Sequence, residues 1–506
     1  MADTATREVE RSYQAPGVSG SPRLYGLPGV HRLEGPEEQT RESFYIDTDD
    51  LLLARTGVTV QQVPGRDWIL TLPGDGAPLR VPPDAGDTQR IPTAVDQLVR
   101  GHARGHELEP VAHTQNTSSR WQLLDESGTP LGEIVADEVS AQTLGASVTV
   151  DSWYRLTVTL RKRDDVLLAA IEERLADVGA HRAAPQSTLR RLFGDRLPTP
   201  RRPVRKRRKL RPKSSAGDVV LATVADQVDT LKELDPAVRA DEPDAVHQMR
   251  VAIRRLRSAL RNFNRIVDRD ATAGLRDELR WLAGVLSAAR DQEVVQQRTE
   301  ELLEATPPEN VLGPIAAQLS QQFAREQVEA HARIVAELDT DRYYALLDAL
   351  DGLLADPPLT PLAAKPARAV LPKLVGRSVK RVDRTVARAG AEQDPQARAA
   401  ALHQARKAAK RARYAAETVA PALGKPASRS AKGYKKVTQL LGVHQDTVQS
   451  RTFLRTLGGR AHVAGQNGFT FGLWYQQEAA GAERVEREFP DLWRRVSRPK
   501  RRRWMR

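Results

Sequence analysis

The chain reads as an α+β multidomain protein in two parts: an N-terminal antiparallel β-structure, barrel or sandwich, followed by an all-α part. Three observations carry that reading. Short, partly alternating runs separated by turn residues fill residues 1–160, helical periodicity runs from Val219 to Glu488, and the helical stretch holds one motif twice.

The strand-forming runs are Val9–Tyr13, Ser43–Ile46, Val58–Val63, Trp68–Leu72, Arg120–Leu124, Gly132–Val139 and Tyr154–Arg161. Turn clusters such as Pro73–Gly76 and Asp125–Gly128 separate them. Helical patterns follow over Asp165–Val178 and Ser187–Phe193. Residues 198–217 read as an extended linker, because Pro198, Pro200, Pro203 and Pro212 interrupt a basic run with no acid in it.

In the helical part, Ala245–Arg261 reads AVHQMRVAIRRLRSALR and Ala401–Glu417 reads ALHQARKAAKRARYAAE. Each sets a histidine and then basic residues three, seven and ten positions later: His247, Arg250, Arg254, Arg257, and His403, Arg406, Lys410, Arg413. At about 100° per residue these positions fall within roughly 80° of one another, and Arg261 joins the first stripe. The opposite face carries Ile253, Leu256, Leu260 and Phe263, which assigns one side to a core. Cations held this closely repel unless an anion lies among them, so the repeated stripe points to a polyanionic ligand. A solvated face with ion pairs to neighbouring helices is the plainer alternative.

An acid and a proline precede each motif helix, Glu242-Pro243 and Asp394-Pro395, and read as a cap with proline in the first turn. Leu279–Asp291 aligns with Tyr434–Asp446 at almost the same offset. A unit of roughly 150 residues is therefore duplicated, a size that suits one four-helix bundle per copy. Lys373, Arg377, Lys380, Arg384 and Arg388 keep helical register ahead of the second motif and extend the candidate groove on that side.

The net charge of +13 favours an anionic partner, and 40% hydrophobic residues are enough for packed cores. Cysteine is absent, which excludes disulfides, thiolate catalysis and Cys-based zinc sites and agrees with a reducing cytoplasm. No stretch has the apolar length of a membrane span, and MADTATREVERSYQ lacks the layout of a secretion signal.

The duplicated His-x-x-Arg-x-x-x-Arg/Lys-Arg-x-Arg helix, followed by Leu-x-x-x-x-Asp, resembles the CHAD domain (conserved histidine α-helical domain) over about residues 218–490. The resemblance implies two pseudo-symmetric four-helix bundles, about 218–360 and 361–490, around a basic groove that binds inorganic polyphosphate. Residues 491–506 are left as a basic tail. The groove positions it implies are His247, Arg250, Arg254, Arg255 and Arg257, and His403, Arg406, Lys410, Arg411 and Arg413. Arg261, Lys407 and, from the third basic run, Arg377, Lys380 and Arg384 complete the candidate set. Glu417 stands where the first copy has Arg261, which shortens the second stripe.

Residues 1–197 resemble the CYTH domain, an eight-stranded triphosphate-tunnel barrel often fused ahead of CHAD. Glu8-Val-Glu10 fits the start of its Glu-x-Glu-x-Lys strand, and Phe44–Asp49, Gly57–Val60 and Trp68–Leu72 fit the next strands. The departures share a direction. Ser12, Gln61, Val63 and Pro73 stand at basic positions, His113, Gln115, Thr117 and Ser118 where arginines are usual, and Thr157 and Thr159 in the late acidic strand. A triphosphatase needs carboxylates for a divalent metal and cations for the phosphate oxygens. Only Glu8 and Glu10 remain as metal candidates, so a degenerate barrel without hydrolysis is expected, with magnesium required only if activity persists.

His247 and His403 read as core residues, metal ligands or phosphate donors; the cations that follow them disfavour metal. Asp291 and Asp446 read as carboxylates that orient a neighbouring arginine. The expected function is non-enzymatic binding of inorganic polyphosphate in the cytoplasm, with polyphosphate granules as one candidate location. The alternatives are metal-dependent triphosphate cleavage by the N-terminal part and weak, sequence-blind nucleic-acid contact through Arg201–Lys213 and Arg498–Arg506. No signal for an oligomeric state is present.

Overall fold

The computed structural model describes residues 9–15, 24–73, 77–85, 90–177, 179–183, 187–197 and 210–505, and the chain divides into two units, Met1–Arg202 and Pro203–Arg506. Among the described residues of the first unit lie strands β1 (Val9–Ala15), β2 (Arg32–Asp47), β3 (Thr59–Gln62), β4 (Trp68–Thr71), β5 (Leu79–Val81), β6 (Glu109–Leu124), β7 (Pro130–Thr143), β8 (Val150–Leu160) and β9 (His181–Arg182). They form one antiparallel sheet in the order β5-β4-β3-β2-β6-β7-β8-β1-β9.

That sheet is open, which overturns the expected barrel. Closure would require β5 to pair with β9, and strands of three and two residues offer too few N–H and C=O groups to carry the ladder round. The central strands are longer than alternation suggested. β2 and β6 each run 16 residues, with polar side chains on both faces through much of their length, so no hydrophobic period marks them.

Helix α1 (Leu52–Thr56) follows β2, α2 (Thr93–Ala103) follows β5, and α3 (Asp165–Asp177) and α4 (Thr188–Phe193) follow β8. The buried Asp47 carboxylate holds the start of α1 by accepting from the backbone N–H groups of Leu53 (2.8 Å) and Ala54 (2.9 Å). Gly57 ends α1 at φ 84°, a left-handed conformation that favours glycine. Leu167, Leu168, Ile171 and Leu175 of α3 pack against Trp121, Leu123, Ile134 and Val158. Leu189, Leu192 and Phe193 of α4 pack at Ala112 and Ala141, on the opposite face.

The second unit is helical. Its order is α5 (Ala216–Glu233), α6 (Asp235–Arg239), α7 (Ala245–Asn262), α8 (Ala273–Glu304), α9 (Ile315–Leu338), α10 (Asp341–Ala355), α11 (Ala367–Ala391), α12 (Pro395–Leu423), α13 (Lys425–Val463), α14 (Phe469–Val496) and α15 (Pro499–Arg502). Residues 198–209 of the expected linker lie outside the described residues. Its last part is built into this unit: Ser215 accepts from the Asp218 N–H, and the Ala216 N–H donates to the Lys365 carbonyl.

Two separate four-helix bundles are not found. One hydrophobic core runs through α5, α7, α8, α10, α11, α12 and α13, crossing the boundary between the two copies. The cause lies in α12, whose buried residues include Ala405, Ala408, Ala409, Ala412, Ala415 and Ala416. Such small side chains let neighbouring helices approach on several sides, so α12 packs on α11, α13, α7 and α5. A second, smaller core joins Leu302 of α8, Leu319 and Phe323 of α9, Leu454 of α13 and Trp474 of α14. No described helix is long and apolar enough to cross a membrane.

Candidate functional site

The apolar stripe of α7 anchors the site. Ile253, Leu256, Leu260 and Phe263 are all fully buried, each contributing roughly 1.5–3 kcal/mol of burial free energy. With that face fixed, the basic face of α7 has one direction left. The second motif helix starts as its sequence indicates: Pro395 occupies the first turn, and Asp394 Oδ2 accepts from the Ala397 N–H at 2.7 Å. The first does not. Pro243 lies before the helix, and Asp244 takes the cap position at φ 64° without a side-chain cap bond.

The two stripes meet in one groove of about 800 Å³. α7 supplies Arg254, Arg257 and Arg261, α12 supplies His403, Arg406, Lys407, Lys410 and Arg411, and Tyr414 and Ser258 complete the wall. Sequence reasoning missed three further cations there: Arg269 in the turn after α7, and Arg276 and Arg280, one turn apart on α8. One carboxylate, Asp277, lines the groove among the described residues, and Arg280 Nη1 already holds it at 2.6 Å. Asn262 ties the helices together, donating to the Arg411 carbonyl (3.1 Å) and accepting from Ser378 of α11 (3.3 Å).

Burial and mutual repulsion act on these cations in the same direction. Burial pushes the Lys410 ammonium down to about 7, helped by Arg406, Arg254 and Arg250 and opposed by Asp446 of α13. Burial followed by Arg261, Arg381 and Arg257 pushes Arg411 down to about 10. Arg257 and Arg261 are lowered by burial and then by neighbouring arginines, Arg280 among them. Burial also lowers Arg406, whose charge Asp446 favours and Arg254 disfavours. The Arg406 Nε and His403 Nδ1 are buried without a hydrogen-bond partner. Burial and Lys407 lower the His403 imidazole. The groove thus concentrates positive charge that its own carboxylates leave uncompensated, and oriented guanidinium donors suit phosphate oxygens.

Other candidates lie elsewhere. Arg413 Nε donates to Glu417 Oε1 at 2.7 Å, and Arg255 lies 3.7 Å from Glu417 Oε2, with both guanidiniums over the Tyr414 ring. Glu417 therefore holds two of the expected cations out of the groove lining. Arg250 donates to Ser287 of α8 at 3.3 Å and acts on Lys410 through its charge, outside the lining; His247, one turn earlier, is also outside it. Arg377, Lys380 and Arg384 are exposed on α11 and do not line the groove; Arg381 is the α11 cation that acts on Arg261 and Arg411. Asp291 is on α8, its side chain outside the described residues. The basic tail is anchored: Arg502 Nη1 reaches Asp383 at 2.8 and 2.9 Å, Trp504 Nε1 donates to Ser430, and Met505 is buried.

In the first unit Glu8 lies outside the described residues. Glu10 pairs in register with Thr159, and Ser12 with Thr157. Across β7 from Thr159 stands Glu133, already bound to Arg120 at 3.1 Å. On the same sheet face the buried Asp137 accepts from Ser118 (2.6 Å) and pairs with Arg155 (2.7 Å), a balanced pair that sequence reasoning did not single out. Among the described residues no three His, Cys, Asp or Glu side chains are placed to hold a metal ion.

Comparisons with known proteins now bear on this geometry. The CHAD domain family matches residues 222–455. An uncharacterized protein of Mycobacterium tuberculosis strain H37Rv is 32% identical over 511 aligned residues, covering 97% of this chain and 96% of its own length; a counterpart from strain CDC 1551 matches equally. PptA from Streptomyces chartreusis superposes with a TM-score of 0.46 at 22% identity, over 56% of this chain and 100% of its own. The CHAD domain of the plant Ricinus communis gives 0.46 at 23% identity, over 57% and 93%.

Proposed function

From a chain that belongs to the family of these mycobacterial proteins and carries a CHAD domain at residues 222–455, we propose a binding protein for inorganic polyphosphate. The observation that carries the reading is the groove into which, among the described residues, two motif helices, α8 and Arg269 of the intervening turn direct ten lysines and arginines against one carboxylate. A linear phosphate polymer answers each requirement of that lining. It carries a charge on every unit, it bends to follow a trough between helices, and it offers oxygen pairs to arginine forks.

The first unit serves as a scaffold or interaction module in this reading. Its Asp137–Arg155 pair is internally neutralised, and Ser12, Thr157 and Thr159 replace the charged residues that triphosphate cleavage would use. The protein is placed in the cytoplasm, where the polymer would be met.

The test is titration of the full chain with phosphate polymers of increasing length against orthophosphate. Affinity is expected to rise with chain length until the groove is filled. Equal affinity for orthophosphate and long chains would defeat the proposal. Nucleic acid serves as the competing ligand: binding abolished by deleting Arg498–Arg506 while the groove is intact would favour the nucleic-acid reading.

A further inference from the structure

We propose that the groove takes up one proton together with the phosphate chain, and that Lys410 Nζ is the atom that receives it. The inference rests on the polyphosphate reading and adds to it a control by pH.

Lys410 occupies in the second motif the place that Arg254 holds in the first. It lines the groove, and the charged groups that act on it among the described residues come from three helices: Arg406 on its own α12, Arg254 and Arg250 on α7, and Asp446 on α13. The α8 neighbour of this cluster, Ser287, is neutral and bonded to Arg250. Among the described residues, three guanidiniums thus stand against one carboxylate. Guanidiniums do not shed protons near neutrality, so a cluster of this kind relieves its repulsion at the one lysine. Burial acts the same way and brings the ammonium down to about 7.

A phosphate oxygen at Lys410 reverses the balance, because it favours the ammonium over the amine. Above neutrality the free groove holds mostly –NH2 at this position, and the bound groove holds –NH3⁺. The added proton comes from solvent, and no other bond changes. The sign follows: affinity is constant below the free amine's titration and falls by up to about tenfold per pH unit above it. His403 titrates on the acidic side, since burial and Lys407 lower it from its ordinary value, so it contributes little above pH 7. Arg411, at about 10, keeps its charge throughout.

The experiment is calorimetric titration of the full chain with long-chain polyphosphate, whose internal phosphates stay ionised. It is run between about pH 7.0 and 8.5 in two buffers of different ionisation enthalpy. Uptake approaching about one proton per site is expected at the upper end, with affinity falling about 15-fold across the window. In Lys410→Arg, which keeps a fixed cation at this place, both the uptake and the fall in affinity with pH should vanish, whatever its affinity at pH 7.0. No uptake by the unmodified chain, or full uptake in Lys410→Arg, would overturn the assignment. Should that variant not fold, Lys410→Met takes its place: proton uptake is expected to vanish in it as well, and full uptake there would equally overturn the assignment. A chain that fails to bind polyphosphate at pH 6.5 would instead defeat the functional reading itself.

Discussion

The Arg406 guanidinium lies against Gly442 of α13: a Cβ added at that glycine would stand 3.5 Å from Nη2 and 3.7 Å from Nε. The absence of a side chain at Gly442 gives the guanidinium its place beside the groove. Gly442→Ala adds an ordinary contact and is expected to change polyphosphate affinity less than about twofold. Gly442→Leu needs the space the guanidinium occupies and should cost at least about tenfold. Affinity unchanged in the leucine variant would show that Arg406 is not required.

Glu417 offers the opposite change. It holds Arg413 and Arg255 at half-exposed positions, so removing its charge should alter stability by no more than about 1 kcal/mol. Glu417→Gln is expected to raise polyphosphate affinity about two- to fivefold, and Glu417→Arg further, because it restores the cation found at Arg261 in the first copy. Weaker binding in both variants would contradict the role given to Glu417.

Stability should depend on pH through Lys410. Its value of about 7 in the folded chain lies below that of an unfolded lysine, so the unfolded chain binds more protons between those values. Stability therefore rises as pH increases from about 7 toward 10, as far as other groups permit. Thermal unfolding of Lys410→Met beside the unmodified chain isolates the effect: the gap between the two should narrow as pH rises. A constant gap would argue against a depressed lysine.

The fold of the second unit has its own keystone away from the groove. Arg239 Nε meets Asp235 Oδ1 and Nη1 meets Asp339 Oδ1, each at 2.6 Å, while Tyr343 donates to Asp235 Oδ2; Arg239, Asp235 and Tyr343 are buried and Asp339 reaches solvent. Arg239→Met leaves a buried carboxylate unpaired and should cost roughly 3–5 kcal/mol, read as a lower urea midpoint. A loss below about 1 kcal/mol would mean the site admits water.

The stripes were legible because a helix repeats at 3.6 residues, and Ile253, Leu256, Leu260 and Phe263 declared which way α7 had to turn. The wall from α8 was not, since Arg276 and Arg280 belong to no repeat and gain meaning only when α8 packs beside α7. Helical register alone also placed Arg413 in the stripe; the Glu417 pairing that draws it away becomes visible only with side chains in place. Repetition suggested two independent bundles, yet it carries no information on whether two copies share a core. The alanine face of α12 was the unread signal that they do. In the sheet, Ser43–Ile46 and Arg120–Leu124 mark only the ends of β2 and β6, because polar residues on both faces erase alternation over the rest.

The central claim is that α7 and α12 present one groove to one phosphate chain. Its most direct test is the affinity of long-chain polyphosphate for Arg257→Glu, Arg411→Glu and the double variant, beside the unmodified chain. Each single reversal should cost at least about tenfold and the double at least about 100-fold, close to 2.7 kcal/mol. A double variant that binds within about threefold of the unmodified chain would contradict the account.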